Sequence, residues 1–206
     1  MTSSETVSET ALGEPVTERG RRTRRKLLDA ATLEFGDRGF HEASISAITR
    51  RAGCALGSFY TYFESKEAIF QALVRDFSDG VRTAAAKGIT GSGSALEIER
   101  DALAAFLVFA QENKEIYRII DEAEFVDPAS YRAHYENTAA RIHDRLQAGA
   151  EDGEFRDDLG ETEAWAIMGM NVFLGLRYAV WGRGDDFIEH VAECARNILK
   201  SGISRL

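Results

Sequence analysis

The side chains best suited to do chemistry in this sequence are cations and hydroxyl groups near its start. Six Arg or Lys residues fall between Arg19 and Lys26, and the run Tyr60-Thr61-Tyr62 lies further along. Cationic side chains neutralise phosphates, and hydroxyl groups donate hydrogen bonds to phosphate oxygens and base edges. The pattern predicts contact with double-stranded DNA. The alternatives are a solvated basic tail and two tyrosines on an ordinary helix surface.

The charge of the chain is unevenly distributed. The whole sequence has a formal net charge of −9, which argues against indiscriminate binding of nucleic acids. Residues 17–66, however, contain 10 Lys and Arg against 6 Asp and Glu, a balance of +4, so the remainder carries 15 against 28, or −13. The sequence therefore predicts a basic N-terminal part followed by an acidic C-terminal part.

Catalytic and metal-binding patterns are missing from the sequence. No two histidines have the four-residue spacing that places two metal ligands on one helix face, and no Gly-rich loop follows a strand. Two cysteines are too few for a disulfide framework, and neither has a histidine partner that the sequence implies. We predict that the protein is not an enzyme, holds no cofactor or metal ion and works in a reducing cytoplasm. The residues concerned are His41, His134, His143, His190, Cys54 and Cys194.

Two segments bear on contact with membranes. Residues 1–16 are rich in Ser, Thr and Glu and lack an apolar stretch, so we interpret them as a disordered tail rather than a signal or an anchor. The longest nearly apolar run, from Trp165 to Trp181, is interrupted by Asn171 and Arg177 and is short for a membrane span. We expect a buried helix there and no membrane partner.

The spacing of apolar residues predicts an all-α fold of about nine helices. Apolar residues recur every three or four positions, and only 2 prolines are present. A first helix is predicted from Arg19 to Phe35, with glycines ending it. Ser44 is a good N-cap for a short helix, and Gly53 permits a tight turn before another. Later helices are predicted over 56–63, 65–86, 96–111, 114–125, 128–150, 162–181 and 187–200, with a Gly/Ser joint at 88–94.

One segment also carries a family resemblance. The stretch ISAITRRAGCALGSFYTYFESKEAIF, residues 45–70, resembles the signature of the TetR/AcrR transcriptional regulators in its alanine-glycine turn, its aromatic recognition helix and its Ser-Lys-Glu. The match is specific over about residues 24–77. It implies an N-terminal three-helix helix-turn-helix domain over 17–64, which binds DNA. It also implies a larger helical domain over 65–206, which binds a ligand and dimerises.

The resemblance implies roles for individual residues of the helix-turn-helix. Two departures from the family pattern concern Ala55, where a capping Ser or Thr is frequent, and Ser46, where Arg is frequent. Lys66 is expected on a phosphate, because a cation in the first turn of a helix opposes the helix dipole unless an anion lands there. Expected at the bases are Leu56, Gly57, Ser58 and Thr61, and on phosphates Ser44, Tyr60, Tyr62 and Lys66. The predicted DNA-binding set also includes Arg21, Arg22, Arg25 and Ser46.

The last two helices are predicted to form a dimer interface. The run from Trp165 to Trp181 is apolar in nearly every direction around a helix, so more than one side must be covered. The resemblance implies a four-helix interface with a second copy. A monomer with a tightly buried last hairpin is the alternative. Predicted interface residues are Phe173, Val180, Phe187, Val191, Ala195 and Ile198.

The middle helices are predicted to surround a pocket for a hydrophobic small molecule. They carry many large apolar side chains, most of which we expect to be core. Three polar residues, Asn171, Arg177 and His134, are either satisfied structural groups or contacts that orient a ligand. The predicted ligand-binding residues are Phe106, Phe109, Tyr117, Ile120, Phe125, His134, Tyr135, Met168, Asn171 and Arg177.

The sequence thus predicts a repressor that binds a palindromic operator as a homodimer at the bacterial nucleoid. A lipophilic molecule, aromatic, fatty or an acyl thioester, is predicted to release it. Two alternatives stay open: an activator with the same fold, and a helical small-molecule binding protein or enzyme whose basic region is incidental. The effector, the operator, the target genes and the redox behaviour of Cys54 do not follow from the sequence.

Overall fold

The computed structural model describes Pro15 and residues 17–89, 93–182 and 187–203. The predicted tail, residues 1–16, lies outside the described residues except for Pro15. Within the described ranges the chain forms nine α-helices and no strand, which confirms the predicted all-α fold. Contacts divide the chain into two compact units, Met1–Leu73 and Val74–Leu206. This division falls inside a helix, whereas the domain limits predicted above, 17–64 and 65–206, stay a prediction.

The N-terminal unit contains three helices and the start of a fourth. They are α1 (Glu18–Glu42), α2 (Ile45–Ala52), α3 (Leu56–Phe59) and α4 (Lys66–Gly88), the last of which continues into the second unit. Regular helical backbone in α1 breaks at Gly39, whose φ of 80° lies in the left-handed region that glycine tolerates best. The predicted end of α1 at Phe35 is therefore too early, because Gly36 is accommodated within the helix.

Aromatic packing holds the N-terminal unit together. The ring of Phe70 makes edge-on contacts with Phe35 and Phe40, at centroid distances of 5.2 and 5.1 Å. Phe59 and Phe63 are buried in the same unit. Offset and edge-on aromatic pairs of this kind add to the energy of burial. Ring contacts thus join the end of α1 to α4 within this unit.

The C-terminal unit consists of the rest of α4 and five further helices. They are α5 (Ala95–Glu112), α6 (Glu115–Val126), α7 (Pro128–Glu151), α8 (Glu161–Leu174) and α9 (Ile188–Ile203). A π-helical segment, Gly175–Val180, continues α8. Asp127 caps α7 by accepting from the Ser130 amide at 3.3 Å, with Pro128 in the first turn, as the sequence indicates.

Two apolar clusters form the core of the C-terminal unit. One joins α7 and α8 through Ile142, Leu146, Ile167 and Met168. The other joins α5 to α9. An ion pair also links α5 to α7. Arg145 of α7 contacts both carboxylate oxygens of the buried Glu99 of α5, at 2.5 and 3.0 Å. Among the described helices, none combines the length and apolar character that a membrane crossing requires.

Candidate nucleic-acid interface and ligand cavity

The helix-turn-helix is built from α2, a short turn and α3. Ser44 caps α2 by accepting from the Ala47 amide at 3.2 Å, and α2 ends at Gly53 with a φ of 65°. Ala55 gives α3 no side-chain cap, in line with its departure from the family pattern. The α-helical part of α3 ends at Phe59, and turns carry the chain on to Tyr62. The recognition helix is thus shorter than the predicted 56–63.

The predicted base-reading residues of α3 have accessible surfaces. Leu56 and Tyr60 are each 51% exposed, and Thr61 is also exposed. At Gly57 the space that a Cβ atom would occupy is open to 4 Å. Ser58 is half-buried, as is Tyr62. The exposed residues of α3 and of the turn after it are therefore free of contacts that would keep them from a bound partner.

An ion network fixes α1 against α2 behind this surface. Glu34 on α1 is buried, and its carboxylate lies 3.2 Å from Arg38 and 3.3 Å from Arg51 of α2. Arg51 also reaches Asp37 at 2.9 Å. A buried carboxylate requires such partners because removal from water disfavours its charge. These contacts position α2 and hence the turn that presents α3.

Lys66, predicted to contact a phosphate, makes three intramolecular contacts in the structure, and its contact with DNA stays a prediction. Its Nζ donates to the carbonyls of Phe40 at 2.7 Å, Ala43 at 3.0 Å and His41 at 3.2 Å. An ammonium group has three hydrogens, so these contacts use all of them. The same nitrogen lies 4.5 Å from the centre of the Phe40 ring. The cation at the start of α4 is thus offset by backbone carbonyls of the segment that follows the break at Gly39.

The basic cluster at the start of α1 is exposed and partly paired. Arg21 contacts Glu18 at 3.0 Å, and Arg25 contacts Asp29 at 2.7 Å, on the same helix. Arg22 is exposed. Exposed pairs of this kind contribute little stability, so a phosphate can replace the carboxylate at small cost. Among the other predicted DNA contacts, the Oγ atoms of Ser46 and Ser44 lie 3.1 Å apart.

A mainly apolar cavity lies within the C-terminal unit. It encloses about 810 Å³ of space between atoms, including the part open to solvent. Seven of the ten predicted ligand residues line it: Phe106, Tyr117, Ile120, His134, Tyr135, Met168 and Asn171. Residues that the sequence did not single out complete the wall: Val81, Ala85, Ala102, Ile116, Asp121, Thr138, Arg141, Ile142, Arg145 and Val172.

Three predicted ligand residues lie elsewhere. The Phe109 ring packs on α4, where it would come within 2.5 Å of a Cβ atom at Gly80. Phe125 is 81% exposed. Arg177 lies 5.1 Å from the ring of Tyr178 and is exposed. These three residues were predicted from residue type alone. The cavity residues of α7 that the prediction missed recur every three or four positions, a spacing that places them on one face of the helix.

The histidine in the cavity wall is held in its neutral form. Burial lowers the pKa of His134 to about 4, and nearby Arg141 adds to this effect. Ser78 donates its only hydroxyl hydrogen to the Val74 carbonyl at 2.9 Å. Ser78 Oγ also lies 2.7 Å from His134 Nδ1, so the hydroxyl links the neutral imidazole to the backbone of α4.

Two tyrosines and an asparagine make up further polar parts of the wall. Tyr117 donates to the Val172 carbonyl at 2.8 Å, and burial raises its pKa well above the ordinary value. Burial has the same effect on the pKa of Tyr135. The Oδ1 atom of Asn171 is buried and has no hydrogen-bond partner among the described residues. An unpaired buried acceptor costs stability, so Asn171 is not the satisfied structural group that was one expectation for it.

The segment from α8 to α9 leaves several large apolar side chains exposed. Phe173 is 71% exposed and Trp181 is 64% exposed, and Phe187 and Ile198 are exposed to a similar degree. We call these four the α8–α9 apolar residues. Val180 is half-buried. Among the other predicted interface residues, Val191 and Ala195 are buried against α5 within the chain, so they offer no surface to a partner.

The structure also corrects the expectation about the cysteines. Cys194 Sγ lies 3.5 Å from Nε2 of His190, one turn away on α9, a spacing that the sequence already contained. Cys54 is half-buried, and its thiol approaches the Ala52 carbonyl at 3.6 Å. Within the described part of the chain, no group of three or more His, Cys, Asp or Glu side chains is arranged to hold a metal ion.

Comparison with known proteins decides the family. Residues 27–73 match the model of the bacterial regulatory proteins of the tetR family. The HTH-type transcriptional regulator YdgC of Bacillus subtilis is 36% identical over 157 residues, which cover 74% of this chain and 78% of that protein. The chain belongs to the TetR family. This TetR-family member is therefore a DNA-binding transcriptional regulator and not an enzyme.

Two further likenesses extend over most of the chain. The HTH-type transcriptional repressor KstR2 of Rhodococcus jostii is 25% identical over 199 residues, which cover 90% of this chain and 92% of that protein. A crystal structure of a TetR-family regulator from Marinobacter aquaeolei has a TM-score of 0.74 at 22% identity, covering 92% of this chain and 99% of that chain. At this identity the structural likeness establishes the fold of the TetR-family regulator.

Proposed function

We propose that this TetR-family regulator is a repressor that binds a palindromic operator as a homodimer and is released by a lipophilic small molecule. The observation that carries the proposal is the mainly apolar cavity with a few polar groups in its wall. Such a cavity in a regulator is suited to a small effector. The relative from Rhodococcus jostii is a transcriptional repressor, which supports repression as the direction of regulation. Its place of action would be the cytoplasm, where the chromosome is.

In this proposal the surface of α3 enters the major groove. Leu56 packs on thymine methyl groups, and Ser58 and Thr61 hydrogen-bond to base edges. The hydroxyls of Tyr60 and Tyr62, together with Ser44 and the basic start of α1, contact phosphates. The exposure of Leu56 and Tyr60 supports these roles. Ser46, beside Ser44 at the start of α2, contacts the DNA near the same phosphates.

The α8–α9 apolar residues support the dimer. Exposure of these four large apolar side chains to water is energetically unfavourable. Packing against a second copy of the chain would bury them. A symmetric dimer reads two half-sites only if its two α3 helices are separated by about 34–36 Å. A ligand that favours a different separation releases DNA, and about 2.7 kcal/mol of preference changes affinity by about 100-fold.

A pair of glycine substitutions tests the role of α3. Gly57→Ala adds a methyl group where the structure has open space, so the fold is retained and gains helix propensity. If Gly57 faces bases, the methyl group meets DNA, and we expect operator binding to weaken about 10- to 100-fold. Gly202→Ala is the matched control, since it adds a methyl group in open space on α9.

The operator itself would come from selection of bound DNA out of a random pool. We expect an enriched palindrome for the wild type and for Gly202→Ala. If selection enriches no motif, the result contradicts specific binding. If both variants bind the operator with equal affinity, Gly57 is not part of the interface. The position of the selected operator relative to the promoter separates a repressor from an activator.

A further inference from the structure

The cavity wall contains one arginine that forms no ion pair with a described carboxylate. Arg141 lines the wall and donates to Thr138 Oγ1 at 3.0 Å. Among the residues that the structure describes, no carboxylate lies within ion-pair distance of its guanidinium. Burial, and then the neighbouring cations Arg145 and Arg82, lower the pKa of this group, and Asp79, which pairs with Arg82 at 3.1 Å, opposes them in part. An arginine stays charged despite such an environment, so the positive charge persists.

A second arginine one turn along α7 gives an internal comparison. Arg145 also lines the cavity, but both carboxylate oxygens of the buried Glu99 neutralise it. Its role is accounted for by the tie between α5 and α7. Arg141 has no such partner, and holding a bare cation near the protein interior is unfavourable. The cavity is therefore complementary to one negative charge at this end.

The opposite part of the wall has a different polarity. Asp121 and the hydroxyls of Tyr117 and Tyr135 line it, and the carboxylate of Asp121 would repel an anion. Tyr135 and Arg141 are six residues apart on α7, which corresponds to about 9 Å along the helix. His134, next to Tyr135 on α7, is neutral and adds no charge of either sign at pH 7.

We infer that the cavity binds an amphipathic monocarboxylate, with its carboxylate on Arg141 and its apolar chain along Phe106, Ile120 and Met168. A planar carboxylate matches the paired donors of a guanidinium, and its single charge matches the one arginine of the wall that forms no ion pair with a described carboxylate. The apolar side chains cover the rest of the molecule. The inference rests on the proposed role of the cavity as the effector site.

The test is titration calorimetry of the full chain with decanoate and with decan-1-ol, which differ in the headgroup. We expect wild type to bind decanoate about 10- to 100-fold more tightly than decan-1-ol. Arg141→Gln should lose this preference by weakening decanoate binding alone. Arg132→Gln is the matched control, because Arg132 is an exposed arginine of the same helix that does not line the cavity. It should leave both affinities unchanged.

Three outcomes overturn the inference. In the first, the wild type binds decanoate no more tightly than decan-1-ol. In the second, the wild type does not bind decanoate at all. Neither outcome requires a folded variant. Unchanged decanoate affinity in a folded Arg141→Gln, checked by thermal melting, is the third. Release of the selected operator is measured separately. Decanoate that binds through Arg141 without releasing DNA contradicts the effector role alone, and release by decan-1-ol alone contradicts the carboxylate site alone.

Discussion

Substitution of Lys66 by methionine distinguishes a structural role of this lysine from a role in DNA contact. Methionine keeps an unbranched apolar stem near the Phe40 ring and removes the ammonium group. The carbonyls of Phe40, His41 and Ala43 then lose their donor. His41 is exposed, so water replaces its bond, whereas Phe40 and Ala43 are buried residues. We therefore expect the loss to come mainly from two carbonyls.

The magnitude follows from those two groups. A buried carbonyl left without a partner costs about 1–3 kcal/mol, and the lysine no longer has to be taken out of water. We expect Lys66→Met to lower the free energy of unfolding by about 3 kcal/mol. Urea denaturation of the full chain, followed by circular dichroism, measures this change. Lys87→Met, at an exposed lysine of α4, is the control and should change stability by less than about 0.5 kcal/mol.

The salt dependence of operator binding provides the second measurement. A side chain that neutralises one phosphate contributes about 0.9 to the slope of log affinity against log salt concentration. We expect Lys66→Met to leave this slope unchanged, and Arg22→Gln, in the basic cluster, to reduce it. Unchanged stability together with a slope lowered by about 0.9 would refute the structural role and restore the phosphate contact that the sequence predicts.

Three further predictions concern the C-terminal unit. Asn171→Leu should raise stability by about 1 kcal/mol in thermal melts because it removes a buried unpaired acceptor, whereas the exposed Asn197→Leu should change it little. Because the pKa of His134 is lowered to about 4, its neutral form stabilises the fold above about pH 6.5, and this contribution is lost as the pH falls towards 4. His134→Gln should therefore reduce the dependence of the free energy of unfolding on pH between about pH 4 and pH 6.5. An unchanged pH dependence in this variant would contradict the assignment. Phe173→Glu should convert the dimer to a monomer in sedimentation, whereas Phe125→Glu, at an equally exposed phenylalanine, should not; a wild-type monomer would refute the dimer itself.

Local rules of helix capping account for what the sequence predicted well. The side chains of Ser44 and Asp127 cap α2 and α7, and Gly53 adopts the left-handed backbone conformation that ends α2. These effects act within a few residues, and the two ends of α2 and the start of α7 lie at the predicted positions. Their effect does not depend on the rest of the fold. The same locality explains why the helix-turn-helix could be recognised from one short segment.

Contacts between distant residues account for what the sequence did not predict. Lys66 is 26 positions from Phe40, and only the folded unit brings its ammonium to that carbonyl. Arg141 and Arg145 are indistinguishable by type, yet Glu99, 46 positions from Arg145, neutralises only one of them. The π-helical segment has the composition of an ordinary apolar helix. In each case long-range packing, rather than local preference, decides the outcome.

The π-helical segment makes the length of the chain, as well as its side chains, a determinant of this protein. Closing hydrogen bonds over five residues instead of four accommodates one extra residue in a helix. Gly175 begins the segment where a Cβ atom would lie 2.1 Å from the Tyr117 hydroxyl. Without this widened turn, one extra residue would turn Trp181 by about 100° around the axis relative to Val172. The π-helical segment therefore lets the chain carry an additional residue while the cavity wall and the exposed tryptophan keep the facing of an uninterrupted helix.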